Sequence, residues 1–152
     1  MTIDQYIHEK AIWFIKKSCM KETSWKWTLF SSLHEDLKPS IKLEDGELVI
    51  ISFYRNSNSW TVYTSRRIIA HRGEKRAMLR TTEVFSFSTG NFKGSNLEIP
   101  TVEVGTYKYS EESAKFDYET GYASMAIIYY DSFWHRWNKV WKRTYELEHQ
   151  KA

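Results

Sequence analysis

The sequence of 152 residues is poor in the residues that rigidify or cross-link a chain: it has one cysteine, two prolines and six glycines. A lone cysteine excludes an intramolecular disulfide, so we expect Cys19 to be a buried or unremarkable thiol in a reducing compartment. No stretch approaches the roughly 18 uncharged apolar residues of a membrane span, and the charged start of the chain does not suit a signal peptide. These absences predict a soluble intracellular protein, located in the cytoplasm.

Motifs of catalysis and metal binding are missing as well. The glycines are too scattered to form a phosphate-binding loop, and there is no serine-nucleophile elbow, His-Glu-x-x-His or Cys-x-x-Cys motif. His34, Glu35 and Asp36 are polar enough for a metal, but consecutive side chains point in different directions, which favours a solvated turn. We therefore predict no cofactor and no bound metal.

Aromatic residues, in contrast, are abundant: 7 Trp, 10 Tyr and 8 Phe make up 16% of the chain. Such side chains dominate cores and interfaces alike, so they indicate either a densely filled core or an aromatic recognition surface. The length suits a single domain over residues 1–152. A formal net charge of +3 is too weak to make a nucleic-acid partner a good prediction.

The two ends of the chain have helical periodicity. Ile3, Ile7 and Phe14 share one face of a helix predicted within residues 1–21, and Thr2 with Gln5 fits a capping box at its start. A second helix is predicted over residues 131–150. One face of it carries a stripe of aromatic residues: Tyr130, Trp134, Trp137, Trp141 and Tyr145. This stripe suits the core, although a partner could also cover part of it.

Residues 47–130 form short runs rich in β-branched and aromatic residues, each bounded by turn residues or paired charges. Since no crossover helix fits between these runs, they predict an antiparallel meander. The predicted strands are Glu47–Tyr54, Ser59–Thr64, Arg67–Arg72, Arg76–Arg80, Glu83–Ser88, Thr101–Ser110, Ala114–Glu119 and Ala123–Tyr129. Residues 25–37 fit a strand or a helix, with a boundary at Pro39. The fold class is α+β, with the C-terminal helix packed on a bent sandwich or partly open barrel.

A run of antiparallel strands followed by a Trp-bearing C-terminal helix resembles the layout of pleckstrin-homology-like domains. Residues 60–69 resemble a strand, turn and strand of the bacterial members, and Trp137 or Trp141 would take the place of the tryptophan that plugs their sheet. The resemblance covers about residues 47–150. It implies a binding module, but the loop Arg55–Ser59 lacks the several cations of the phosphoinositide-binding members.

Basic residues concentrate between residues 66 and 80, where six cations and one acid give a local charge of +5. If Gly73 lies in a hairpin turn, several guanidinium groups project together, which suits carboxylates and phosphates. The candidate binding residues are Arg66, Arg67, His71, Arg72, Lys75, Arg76 and Arg80. An ordinary solvated hairpin is the alternative. An acidic protein is the first expected partner, followed by a phosphate-bearing lipid and then nucleic acid.

Acidic residues concentrate between residues 98 and 119, where six acids oppose two lysines. Two patches of opposite sign suit a homo-oligomer or a polar partner, or they face each other within the fold. Asp117 and Glu119 share one face of a predicted strand at roughly 6–7 Å, a workable spacing for paired catalytic carboxylates. A solvent-facing strand edge is the alternative interpretation of these two acids.

Together these features predict a non-catalytic intracellular binding module, with a protein as partner and a role of the bacterial immunity or adaptor type. Two alternatives remain open. One is peripheral binding of acidic phospholipid headgroups through the basic stretch. The other is a hydrolase that uses Asp117 and Glu119.

Overall fold

A computed structural model of the chain describes residues 1–18, 22–83, 85–94 and 98–150. Its helices are α1 (Ile3–Ser18), α2 (Tyr122–Arg136) and α3 (Lys142–His149), the last two joined by a π-helical turn at Trp137–Trp141. Its strands are β1 (Thr28–Phe30), β2 (Val49–Asn56), β3 (Ser59–Thr64), β4 (Arg67–Arg72), β5 (Lys75–Arg80), β6 (Phe85–Ser88), β7 (Val102–Tyr109) and β8 (Glu112–Glu119). The predicted α+β class is confirmed. The prediction for the Cys19 thiol falls outside the described residues.

Helix α1 begins at the predicted capping box. The backbone amide of Gln5 donates to the Thr2 hydroxyl at 3.1 Å, and the amide of Thr2 donates to the Gln5 side chain at 2.8 Å. This reciprocal pair satisfies two amides that the first turn of a helix leaves without partners. Ile7 and Phe14 are buried as predicted, whereas Ile3 lies exposed at the first turn.

Two antiparallel sheets form the body of the fold, in the strand orders β1-β2-β3-β4-β5 and β6-β7-β8. In the part of the chain that the structure describes, the two sheets do not close into a barrel. Tight turns connect β2 to β3 and β4 to β5, and Gly73 supplies the positive φ of 65° that the second turn requires. Strand β8 packs across β3 and β4, which brings the β7–β8 hairpin close to the first sheet.

The predicted strand Ala123–Tyr129 is wrong, because these residues form the first turns of α2. The buried residues Ala123, Ala126, Ile127 and Tyr130 recur at helical spacing, so the helix turns one face to the core. Gly121, with φ of 78°, ends the extended chain just before the helix. The C-terminal helical region therefore starts at residue 122 rather than 131.

A core of aromatic and aliphatic side chains joins the helices to both sheets. Trp134 and Trp137 are buried there, while Trp141 is only partly covered. A second cluster around Trp60 fills the opposite face of the five-stranded sheet, under residues 33–43. Strand β3 is therefore buried on both faces, which explains its continuous run of buried residues. Within the described residues, no helix has both the length and the apolar character needed to cross a membrane.

Candidate functional site

The seven candidate binding residues separate into two groups at opposite ends of the β4–β5 hairpin. The register pairs Arg67 with Arg80 at one end and Arg72 with Lys75 at the other. Five residue steps of a strand separate these two pairs by roughly 17 Å. The two groups have different surroundings.

Arg66 is held by acids from two other segments. Its Nε and Nη2 donate to the two carboxylate oxygens of Asp4 at 3.0 and 2.8 Å, and its Nη1 donates to Glu44 at 3.2 Å. Burial alone would raise the pKa of Asp4, but the bonds from Arg66 and Ser65 outweigh it and lower that pKa. Arg66 therefore ties the start of α1 to the turn between β3 and β4.

Arg67 forms a two-pronged ion pair with Glu47, whose side chain is fully buried. Its Nε and Nη2 donate to the two oxygens of Glu47 at 2.8 and 2.9 Å. The hydroxyl of Thr64 donates to the same carboxylate at 2.6 Å, and the amide of Glu44 adds a bond at 2.9 Å. These donors lower the pKa of Glu47 although burial opposes them.

Arg80 pairs with Glu44 through both of its terminal nitrogens. The bonds from Arg80 are the largest cause, and with Arg66 they lower the pKa of Glu44 to about 2. Arg66, Arg67 and Arg80 are thus engaged in internal ion pairs that fasten the segment before β2. The positive charge available to a partner lies at the other end of the hairpin.

At the tip of the hairpin, Arg72, Lys75 and Arg76 are exposed. Arg72 Nε donates to the carboxylate of Asp117 at 3.2 Å. Asp117 is the one acid that pairs with these cations in the described part of the chain. The guanidinium of Arg76 lies over the Trp60 ring at 5.0 Å, and the His71 ring stacks on that indole at 5.4 Å. Because its guanidinium packs on a rigid, buried indole, the Arg76 side chain loses less rotamer freedom when it binds a partner.

These cations line a groove of about 580 Å³ between β5 and the β7–β8 hairpin. Lys115 of β8 adds a fourth positive charge from the opposite wall, and Tyr109 and Ser113 complete that wall. We refer to Arg72, Lys75, Arg76 and Lys115 as the basic groove. Lys115 is not among the predicted binding residues, because it lies within the acidic stretch and joins the other cations only when β8 packs beside β4.

A second groove of about 640 Å³ continues along β5 and is lined by Glu83, Glu111 and Glu112. We refer to these three acids as the acidic groove. Met78 and Tyr109 line both grooves, so the two meet at the middle of β5. The two charged stretches of the sequence therefore line one channel from opposite sides, but Lys115 joins the cations of the hairpin and Glu83 joins Glu111 and Glu112, so like charges gather in each groove.

Asp117 and Glu119 are buried rather than solvent-facing, and each is occupied by structural partners. Ser59 Oγ donates to Asp117 at 2.6 Å. Glu119 accepts bonds from the amides of Lys26 and Trp27 at 2.8 and 2.7 Å, so it anchors the chain before β1. The strand-edge interpretation of these two acids is wrong: they join β8 to the five-stranded sheet.

The described residues contain no cluster of three or more histidine, cysteine, aspartate or glutamate side chains placed to hold a metal. His34 donates from Nε2 to the carbonyl of Trp27 at 2.7 Å, and Glu35 pairs with Lys38. His34 and Glu35 therefore act in the local structure of the segment between β1 and β2.

The chain matches no family model, and comparisons with curated proteins and with solved structures find no similar protein. The resemblance to pleckstrin-homology-like domains accordingly stays a prediction.

Proposed function

We propose that the protein is a non-catalytic intracellular binding module that docks an acidic segment of another protein in the basic groove. This is the mode of action expected of a bacterial immunity protein or an adaptor. The observation that supports it most is that the groove gathers four cations, of which Arg72 alone pairs with an acid of the described chain. Lys75 and Lys115 project from opposite walls, so a carboxylate between them would meet both.

The surroundings of the cations favour a peptide over a membrane. Ala77, Met78 and Ala114 extend the groove between the charged walls, and this apolar surface suits the side chains of a polypeptide. A membrane-binding surface presents its cations on an open face toward the lipid headgroups. Here the neighbouring acidic groove would be brought against the same anionic surface and repel it.

The test is co-purification of the tagged protein with its cellular partner. Lys75→Glu combined with Lys115→Glu should reduce retention by at least about tenfold, since two attractive contacts become repulsive. The matched control is charge reversal of Lys16 on α1 and Lys142 on α3, two exposed lysines that line neither groove. Equal loss in both variants, or retention unchanged by Lys75→Glu with Lys115→Glu, would contradict the proposal.

Acidic phospholipid remains the second candidate, because guanidinium and ammonium groups also bind phosphate. Sedimentation with phosphatidylcholine vesicles containing about 30% phosphatidylserine would support it if it required the basic groove and faded with salt. Our proposal predicts no difference in sedimentation between the protein and its Lys75→Glu, Lys115→Glu variant.

A further inference from the structure

Strand β5 is the last strand of the five-stranded sheet, and within the described residues no strand pairs with its outer side. The direction of its backbone groups follows from the pairing. The amide of Thr81 donates to the carbonyl of Arg66 at 3.1 Å, so odd-numbered residues of this segment face β4. In an antiparallel ladder the intervening residues, Arg76, Met78 and Arg80, then turn their backbone groups away from β4.

The outward side of β5 is set up to accept a strand. Its outward donors are the amides of Arg76, Met78 and Arg80, and its outward acceptors are the carbonyls of Arg76 and Met78. The carbonyl of Arg80 is already used, since it accepts from the amide of Glu83 at 3.1 Å. Met78, 43% exposed, marks the middle of this edge where the two grooves meet.

A second copy of the chain is a poor occupant of this edge. Antiparallel pairing of two β5 strands centred on Met78 would place Arg76 of each copy directly opposite Arg80 of the other, and like charges directly opposite destabilise a pair. This is how natural edge strands avoid pairing with themselves. The occupant must therefore have a different charge pattern.

The charge of the grooves specifies that pattern. The basic groove lies at the start of β5 and the acidic groove at its end, beside Arg80 and Glu83. A strand that runs antiparallel to β5 begins at the acidic groove and ends at the basic groove. Its complementary sequence has a basic residue first and acidic residues last, separated by the roughly 13 Å from Arg76 to Arg80.

We infer that β5 binds an extended peptide segment by strand addition, with a basic N-terminal end, an alternating apolar and polar middle and an acidic C-terminal end. The inference rests on the proposed function and specifies the form of the partner. Main-chain bonds to Arg76, Met78 and Arg80 supply affinity, as in other β-augmentation complexes, and the two grooves fix the direction.

The experiment uses the 152-residue chain and a heptapeptide with lysine first, glutamate at the last two positions and valine alternating with threonine between them. Its affinity is measured by fluorescence anisotropy, and amide hydrogen exchange is followed by NMR. Bound peptide should slow exchange at the amides of Arg76, Met78 and Arg80. The amides of Ala77 and Leu79, which bond to β4, serve as the internal reference and should change little.

The matched control is the same peptide with N-methyl groups on the amides that face β5. It keeps every charge but lacks the donors, so its affinity should fall by at least about tenfold. Equal affinity for the two peptides, unprotected edge amides or no binding at about 1 mM peptide overturns strand addition. Loss of binding in the Lys75→Glu, Lys115→Glu variant without edge protection would leave the proposed function standing and overturn only this inference.

Discussion

Substitution of Arg67 tests whether the three arginines in internal ion pairs, Arg66, Arg67 and Arg80, stabilise the fold. Arg67→Ala removes two bonds to Glu47, at 2.8 and 2.9 Å, and one to the carbonyl of Lys42 at 2.9 Å. Among the described residues, the buried carboxylate then keeps the Thr64 hydroxyl and the Glu44 amide as partners. Breaking a buried ion pair from one side costs about 3–5 kcal/mol, so we expect a loss of that size in the free energy of unfolding at pH 7.

The same substitution should alter the pH dependence. In the native protein the lowered pKa of Glu47 stabilises the fold above its ordinary value of 4.5, and this contribution is lost as the pH falls through the lowered pKa. Without Arg67, we expect burial to dominate and raise that pKa, so protonation of Glu47 on acidification relieves part of the loss in the variant. The difference in stability between the two proteins should therefore shrink as the pH falls from 7 toward 4.

The assay is urea denaturation followed by tryptophan fluorescence, since Trp134 and Trp137 are buried in the core. Lys75→Ala at the other end of the hairpin is the matched control and should change stability by no more than about 0.5 kcal/mol. A loss below about 1 kcal/mol for Arg67→Ala, or a difference from the native protein that grows toward pH 4, would show that the Arg67–Glu47 pair does not stabilise the fold.

Three further predictions concern the buried polar groups and the packing. Glu119→Ala leaves the two backbone amides before β1 without their acceptor, so the free energy of unfolding measured in urea should fall by about 3 kcal/mol. A loss below about 1 kcal/mol would contradict this. Gly105→Ala places a Cβ 2.5 Å from the Phe116 ring, which should lower stability by about 1–3 kcal/mol in thermal denaturation; unchanged stability would be the opposing result. Burial raises the pKa of Asp131 well above 3.8, although the Tyr107 hydroxyl donates to its carboxylate. The contribution of neutral Asp131 to the stability of the fold is therefore lost as the pH rises through that raised value, and Asp131→Asn should flatten the fall in stability with rising pH. A slope unchanged from the native protein would argue against this.

Local patterns predicted the parts of the fold that depend on neighbours in the chain. The capping box at Thr2 and Gln5 and the bounds of β3 and β4 follow from side chains within a few residues. The start of α2 could not be predicted in this way. The strand-forming residues Ile127 to Tyr129 outweighed a helical burial pattern that only the packed core makes visible. Tertiary burial decided the conformation there.

The candidate site could be predicted only in part. The basic stretch was visible as a run of charge. Which of its arginines form internal ion pairs and which stay exposed depends on acids far away in sequence, such as Asp4 for Arg66. Lys115 reaches the basic groove through the packing of β8 against the first sheet. Long-range pairing of this kind leaves no periodic signal in a single sequence.

The most direct test of the binding proposal is a charge swap between the groove and the heptapeptide. We expect the Lys75→Glu, Lys115→Glu variant to lose at least about tenfold in affinity for the peptide ending in glutamates. It should recover affinity for a peptide that ends in lysines instead. If the native protein and the variant bound both peptides with equal affinity, the basic groove would not be the binding site, which would contradict the proposed function.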